Sequence, residues 1–119
     1  MDGVFEAVVE AAGAETRYTC RGRGAPVVVV ANSEPDRRRL REMVESGRRI
    51  LEPEPPLQDG DGPAHGEQLG RWLLGFVEGL GLQAPHIVLS AEFGTSCDAI
   101  VAALAPTDSV VLVEARAGS

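Results

Sequence analysis

The residues from Ser90 to Gly94 have the types and the spacing for chemistry at a turn. The sequence IVLSAEFGTSCDAIVAAL, residues 87–104, passes from a strand-like apolar segment to a helix-like segment without a linker. Glu92 lies between the two. A carboxylate held there can act as a general acid or base, or as a nucleophile toward an alkyl carbon. Glu92 is therefore the candidate catalytic residue.

Glu92 also has a plainer interpretation. In a turn without catalytic function, a polar side chain such as that of Glu92 is merely tolerated at a solvated strand end. A covalent route through a carboxylate also needs a base to finish the cycle, usually a histidine. The histidines are His65, in a polar loop, and His86, at the start of a strand. We expect both to be structural or solvent-exposed, and a relay from His65 over the turn is the less favoured alternative.

The other reactive residue types have structural explanations. Cys97 is expected to pack against a sheet, and Trp72 to belong to the core of its helix. Gly22 and Gly24 form G-x-G without the third glycine of a dinucleotide site. The acids near residues 52–61 match no calcium loop or carboxylate cage and are expected to form a solvated face; they are Glu52, Glu54, Asp59 and Asp61. We predict no metal site and no cofactor.

Composition bounds the architecture and the partners. A chain of 119 residues with 44% hydrophobic residues can bury one core, which predicts a single domain over residues 1–119. The net charge is -7 and the chain has no lysine, so nucleic acid and anionic membranes are unfavourable partners. The N-terminus has no basic region before its apolar stretch, and no apolar run reaches the roughly 20 residues of a membrane helix. The sequence predicts a soluble, cytoplasmic protein with reduced cysteines.

The hydrophobic pattern predicts how these residues are positioned. Alternation near the N-terminus is typical of a hairpin, and the unbroken run VVVVA suits a strand buried on both faces of a parallel sheet. A stripe from Leu69 to Leu80 at helical spacing, with Gly81 just beyond it, is the clearest helix. The predicted elements are strands at 4–9, 16–20 and 27–31, a helix capped by Ser33 and ended by Gly47, a strand at 48–53, a polar loop at 52–66, the helix of residues 69–80, a strand at 86–90, a helix at 95–104 and a strand at 109–115.

These segments, in this order, resemble the N-terminal half of an α/β-hydrolase. GAPVVVVANS is similar to the family's G-x-P-strand-His-Gly segment, with Ala31 and Asn32 in place of His and Gly. RRILEPEPP is similar to the strand and turn before the family's Pro-Gly loop, with Glu54 in place of a frequent Asp. The resemblance implies that the backbone amides of Ser33 and Phe93 line an oxyanion-hole-like site.

The turn at Glu92 resembles the family's nucleophile elbow. The motif G-x-S-x-G has Ser90 in place of its first glycine, Glu92 in place of the nucleophile and Gly94 as its last glycine. The resemblance implies a three-layer α/β sandwich, with a mostly parallel sheet of about six strands, truncated after the sixth. The family's triad acid and histidine follow that strand, whereas this sequence ends at Ser119.

Two functions follow from the resemblance. The first is a small-molecule binding or assembly module without a Ser-His-Asp triad, with a cleft at Ser33, Glu92 and Phe93. The alternative is an enzyme that uses Glu92 as a general acid or base for cyclisation, dehydration or epoxide opening. An open, solvated turn favours the first, and a closed apolar pocket favours the second.

The last strand also predicts a partner. SVVLV would form an apolar sheet edge, and the sheet face beside Leu40 and Val44 would lack the late helix that covers it in the complete fold. The sequence therefore predicts a homo-oligomer or a partner chain that supplies the missing half.

Overall fold

The computed structural model describes residues 4–31, 33–44, 47–55, 63–94 and 96–114. Six strands form one sheet in the order β1-β2-β4-β3-β5-β6. The pairs of β3 with β4, β3 with β5 and β5 with β6 are parallel, and the hairpin at the other edge is antiparallel. The strands are β1 Val4–Ala11, β2 Ala14–Arg21, β3 Ala25–Val30, β4 Arg48–Pro53, β5 His86–Ser90 and β6 Val110–Glu114; the α-helices are α1 Glu34–Met43, α2 Pro63–Gly79 and α3 Ser96–Leu104.

The predicted elements are all present, but α2 begins at Pro63, within the segment 52–66 that was predicted to be a loop. The hairpin strands are longer than the alternation indicated because a two-residue turn joins them, with φ of 52° at Ala12 and 81° at Gly13. Two successive positive φ values are typical of the turn that matches the twist of a hairpin. Helix α1 ends at Met43, before the predicted stop at Gly47. Of the predicted polar loop, residues 56–62 lie outside the described residues, and Glu52 and Pro53 belong to β4.

The helices cover the two faces of the sheet unequally. Helices α2 and α3 pack on one face, where Phe76, Ile87 and Ile100 belong to the larger buried cluster. Helix α1 packs on the other face, and Leu40 is completely buried there against Val27, Val29 and Ala31. The result is the predicted three-layer sandwich, in which β3 is covered on both faces.

Glycines on α2 allow close helix contacts. A Cβ on Gly70 would lie 2.5 Å from the Cβ of Ala103, and one on Gly66 would lie 2.7 Å from the carbonyl oxygen of Ser96. Carbon atoms normally approach to about 3.5–4.0 Å. The backbones of α2 and α3 are thus closer than any larger residue at these two places would permit.

Trp72 connects α2 to the hairpin. The indole is 3% exposed, and its Nε1 donates a hydrogen bond of 2.8 Å to the buried hydroxyl of Thr16. The prediction that Trp72 is a core residue is confirmed. The hydrogen bond adds a polar contact within an otherwise apolar interface, and it fixes the position of β2 relative to α2.

Candidate functional site

The candidate site lies where the parallel strands end. Strands β3 and β5 are neighbours, and Val30 pairs with Leu89 in their parallel register. The segments that follow, which contain Ser33 and Glu92, therefore leave the sheet at the same edge, about one strand spacing apart. Ligands of open α/β sheets bind at this edge, outside the carboxyl ends of the strands.

Ser90 organises the turn that follows β5. Its side chain is fully buried, and its Oγ accepts a hydrogen bond of 3.1 Å from the amide of Glu92. The residues Ala91–Phe93 form a single 3₁₀ turn, which Gly94 closes by donating its amide to the carbonyl of Ala91 at 2.9 Å. Ser90 thus acts as a cap, a role that its place in the sequence motif did not indicate.

Gly94 carries the sharp change of direction between strand and helix. Its φ of 62° and ψ of -130° lie in a region that only glycine enters easily. In a nucleophile elbow the nucleophile itself sits on the strained turn between strand and helix. In this chain the residue with that backbone conformation is Gly94, which has no side chain and adopts it without strain, and Glu92 precedes it by two residues on the 3₁₀ turn.

Glu92 and Phe93 face different surroundings. Glu92 is exposed, whereas Phe93 is half-buried and packs against the larger core cluster. Ser33 is exposed at the start of α1, and its Oγ accepts a hydrogen bond of 3.4 Å from the amide of Asp36. The structure therefore gives Ser33 the predicted capping role.

Cys97 lies beneath the turn and is buried, as predicted. Its Sγ donates a 3.5 Å hydrogen bond to the carbonyl of Ser90, and its amide donates to the carbonyl of Gly94. Burial raises the pKa of the Cys97 thiol, and the negative charge of Asp98 raises the pKa further. The thiol is therefore protonated at neutral pH, and it is unsuited to act as a nucleophile.

The expectation of a solvated acidic face is wrong for Glu52. Its side chain is 1% exposed and lies 3.2 Å from Nε of Arg21 and 3.7 Å from an Nη of Arg41. The ion pairs form because β4 places Glu52 between β2 and α1, a long-range arrangement that the local acidic composition conceals. Glu54 is exposed, and Asp59 and Asp61 lie outside the described residues.

The histidines lie away from the turn or cannot be placed there. His86 begins β5, at the end of the strand opposite Glu92, and it is exposed. Only the backbone of His65 is described, within α2. In the described part of the chain, no three His, Cys, Asp or Glu side chains are grouped as metal ligands would be. None of the helices described here has the length and apolar character that crossing a bilayer requires.

An apolar groove lies beside the last strand, on the face that α1 covers only in part. It has a volume of about 410 Å³, and its lining includes Met43, Val44, Val88, Val110 and Leu112. Val110 and Leu112 are more than half exposed, as the predicted apolar edge requires. Arg48 and His86 lie at one end of the groove and Glu114 at the other.

The strand order, the helix placement and the strand-turn-helix unit at Gly94 define the α/β-hydrolase fold. No protein-family model matches this sequence. A search of the curated proteins also finds no match.

Solved structures share this fold. A chain named TT1977 is 22% identical with a TM-score of 0.69, over 93% of this chain and 87% of its own. An alpha/beta hydrolase fold protein from Nakamurella multipartita is 22% identical with a TM-score of 0.70, over 93% of this chain and 41% of its own. The haloalkane dehalogenase DatA from Agrobacterium tumefaciens C58 is 21% identical with a TM-score of 0.64, over 95% of this chain and 40% of its own. This chain thus spans about two fifths of the two hydrolases but most of TT1977.

Proposed function

We propose that this chain is a non-hydrolytic domain with the α/β-hydrolase fold, which works as a small-molecule binding or assembly module. The observation that carries the proposal is the backbone of Gly94. The strained turn that presents a nucleophile in an active elbow is occupied here by a residue without a side chain.

The surroundings of Glu92 support the same proposal. Acid-base catalysis by a carboxyl group at neutral pH needs an environment that shifts its pKa, and apolar burial is the common means. Glu92 is exposed, and the neighbouring Phe93 packs into the core. His86 lies at the opposite end of β5, so it cannot serve Glu92 as a base within this chain.

The enzyme alternative keeps one supporting observation. Glu92 stands at the edge of the sheet where ligands of α/β folds bind, and solved structures with this fold include a haloalkane dehalogenase and epoxide hydrolases. In that alternative Glu92 would act as general acid or base, and the amides of Ser33 and Phe93 would stabilise a developing oxyanion.

Assays of turnover separate the two functions. We expect no hydrolysis of an activated ester and no opening of an epoxide above the buffer rate, and we expect Glu92→Ser to restore neither. Glu92→Gln is the matched control, since it keeps the shape of the side chain and removes its acid-base function. Saturable turnover that survives repurification and is lost in Glu92→Gln would refute the non-hydrolytic proposal and establish the enzyme.

A further inference from the structure

We propose that β6 is a self-association edge, at which a second copy of this chain pairs its own β6 antiparallel about a two-fold axis at Leu112. This inference deepens the assembly part of the proposed function. Its failure would leave the turnover assays unaffected, so the two can be judged separately.

The edge itself favours strand pairing. Strand β6 is at one end of the sheet order and pairs only with β5 among the described strands. Val110, Leu112 and Val113 are 56%, 53% and 42% exposed. An apolar edge of this kind is a template for a further strand.

The side-chain pattern of β6 is compatible with a copy of itself. With Leu112 on the axis, Leu112 faces its own copy, and Val111 faces Val113 of the second copy. Glu114 of the second copy then lies opposite Val110, which is the residue beside His86 in the register of β5 and β6. A carboxylate is thereby brought toward the basic end of the groove, where Arg48 also lies. The positive charge of Arg48, which lies on β4 two strands inward from β5, favours the antiparallel orientation by longer-range attraction and not by a direct pair.

The other edge of the sheet is less suited to self-pairing. Strand β1 also exposes apolar side chains, and Val8 is 52% exposed. However, β1 carries Glu6 and Glu10 within the strand, whereas β6 has no charged residue before Glu114. In a chain with a net charge of -7, two copies of β1 would bring like charges together. Charge therefore selects β6 over β1.

Pairing at β6 also joins the two apolar grooves. On the face of the sheet that α1 partly covers, Val88 and Leu112 of one copy would form a continuous apolar floor with the same two residues of the second copy. Leu112 would be removed from water at the centre, and the edge amides and carbonyls of β6 would gain partners. A closed two-fold arrangement uses the edge once and leaves no second β6 to extend the assembly.

Sedimentation of the 119-residue chain over a range of concentrations tests the assembly. A chain of 12.5 kDa is expected to sediment as a dimer with twice that mass, which dissociates reversibly on dilution. Leu112→Lys places two like charges on the axis and should weaken the dimer by a factor on the order of a hundred or more. Val8→Lys is the matched control, with the same charge at an equally exposed position of the other edge, and it should leave the dimer intact. A concentration-independent monomer, a higher oligomer, or dissociation by Val8→Lys alone would overturn the proposal.

Cysteine cross-linking tests the register without destabilising the strand, in a Cys20→Ser background. Residues directly opposite in antiparallel strands have Cα atoms about 4.5–5.5 Å apart, within the range of a disulfide. Leu112→Cys should therefore form a covalent dimer on mild oxidation. Val113→Cys is the control, because the two copies of residue 113 would be separated by roughly 8 Å, beyond disulfide reach. Cross-linking of Val113→Cys in preference to Leu112→Cys would refute the register.

Discussion

The close contact between α2 and α3 predicts an unusual response to Gly70→Ala. Alanine is favoured over glycine within a helix by about 1 kcal/mol, so propensity alone predicts stabilisation. The new Cβ would lie 2.5 Å from the Cβ of Ala103 and 3.3 Å from the carbonyl oxygen of Ala99. Neither atom belongs to a side chain that can swing away. The helices must therefore separate by about 1 Å to restore normal contact.

The expected cost outweighs the gain in propensity. Overpacking of this kind costs about 1–3 kcal/mol, and separation of the helices also loses contacts around Ile100. The net loss in the free energy of unfolding should be about 1–2 kcal/mol, which lowers Tm by about 4–10 °C in a domain of this size. Thermal and urea unfolding at a fixed protein concentration measure it, because self-association would make Tm depend on concentration.

A double-mutant cycle isolates the contact. Ala103→Gly removes the opposing Cβ, so Gly70→Ala combined with Ala103→Gly should recover most of the loss and give a coupling energy of about 1 kcal/mol or more. Ala102→Gly measures helix propensity alone, since Ala102 is exposed on the same helix. An increase in Tm for Gly70→Ala by itself, or additive effects in the cycle, would refute the close approach of α2 and α3.

Two further predictions concern buried polar groups. Thr16→Val keeps the shape of the side chain but removes the hydrogen-bond acceptor of the Trp72 indole, so the free energy of unfolding measured by urea titration should fall by about 1–3 kcal/mol. Thr19→Val, on the same strand, is the control. A loss no larger for Thr16→Val than for Thr19→Val would contradict the hydrogen bond. For Cys97, the folded-state pKa of the thiol is raised above its ordinary value of 9.0, so the folded protein holds this proton more tightly than the unfolded chain does. The thiol should leave the free energy of unfolding unchanged below about pH 9 and should lower it as the pH rises above that value. Cys97→Ala should reduce this decline. Equal profiles of stability against pH for the two proteins would show that the thiol is not buried as described.

The sequence was sufficient for the order of elements because each element carries its own local pattern. The stripe on α2 and the valine run of β3 have the periods that their burial requires, and Gly81 ends its helix with a φ of 66°. Glu52 was misjudged because its partners, Arg21 and Arg41, are distant in the sequence. Local composition cannot indicate such pairing.

The detail of the turn was also beyond local reasoning. Gly94 was predicted to be required on steric grounds, and its positive φ agrees with this. The 3₁₀ turn that separates the strand from Gly94 depends on the buried Ser90 cap, and therefore on the packing beneath it. The roles of Gly66 and Gly70 depend on a second helix in the same way. Their spacing of four residues on one face of α2 was the available signal, but it has meaning only once α3 is known to lie opposite.

The strand order has a consequence for the emerging chain during synthesis. Strands β1, β2, β4 and β3 are neighbours in the sheet, and all four precede α2 in the sequence. A contiguous block of four strands can therefore be completed while α2, β5 and α3 are still to be made. Until then, Val28, Val30 and Leu51 would present their side chains to water on the face that α2 and α3 later cover. The interval between the synthesis of β4 and that of α3 is thus the period in which the nascent chain is most exposed to aggregation and to capture by chaperones.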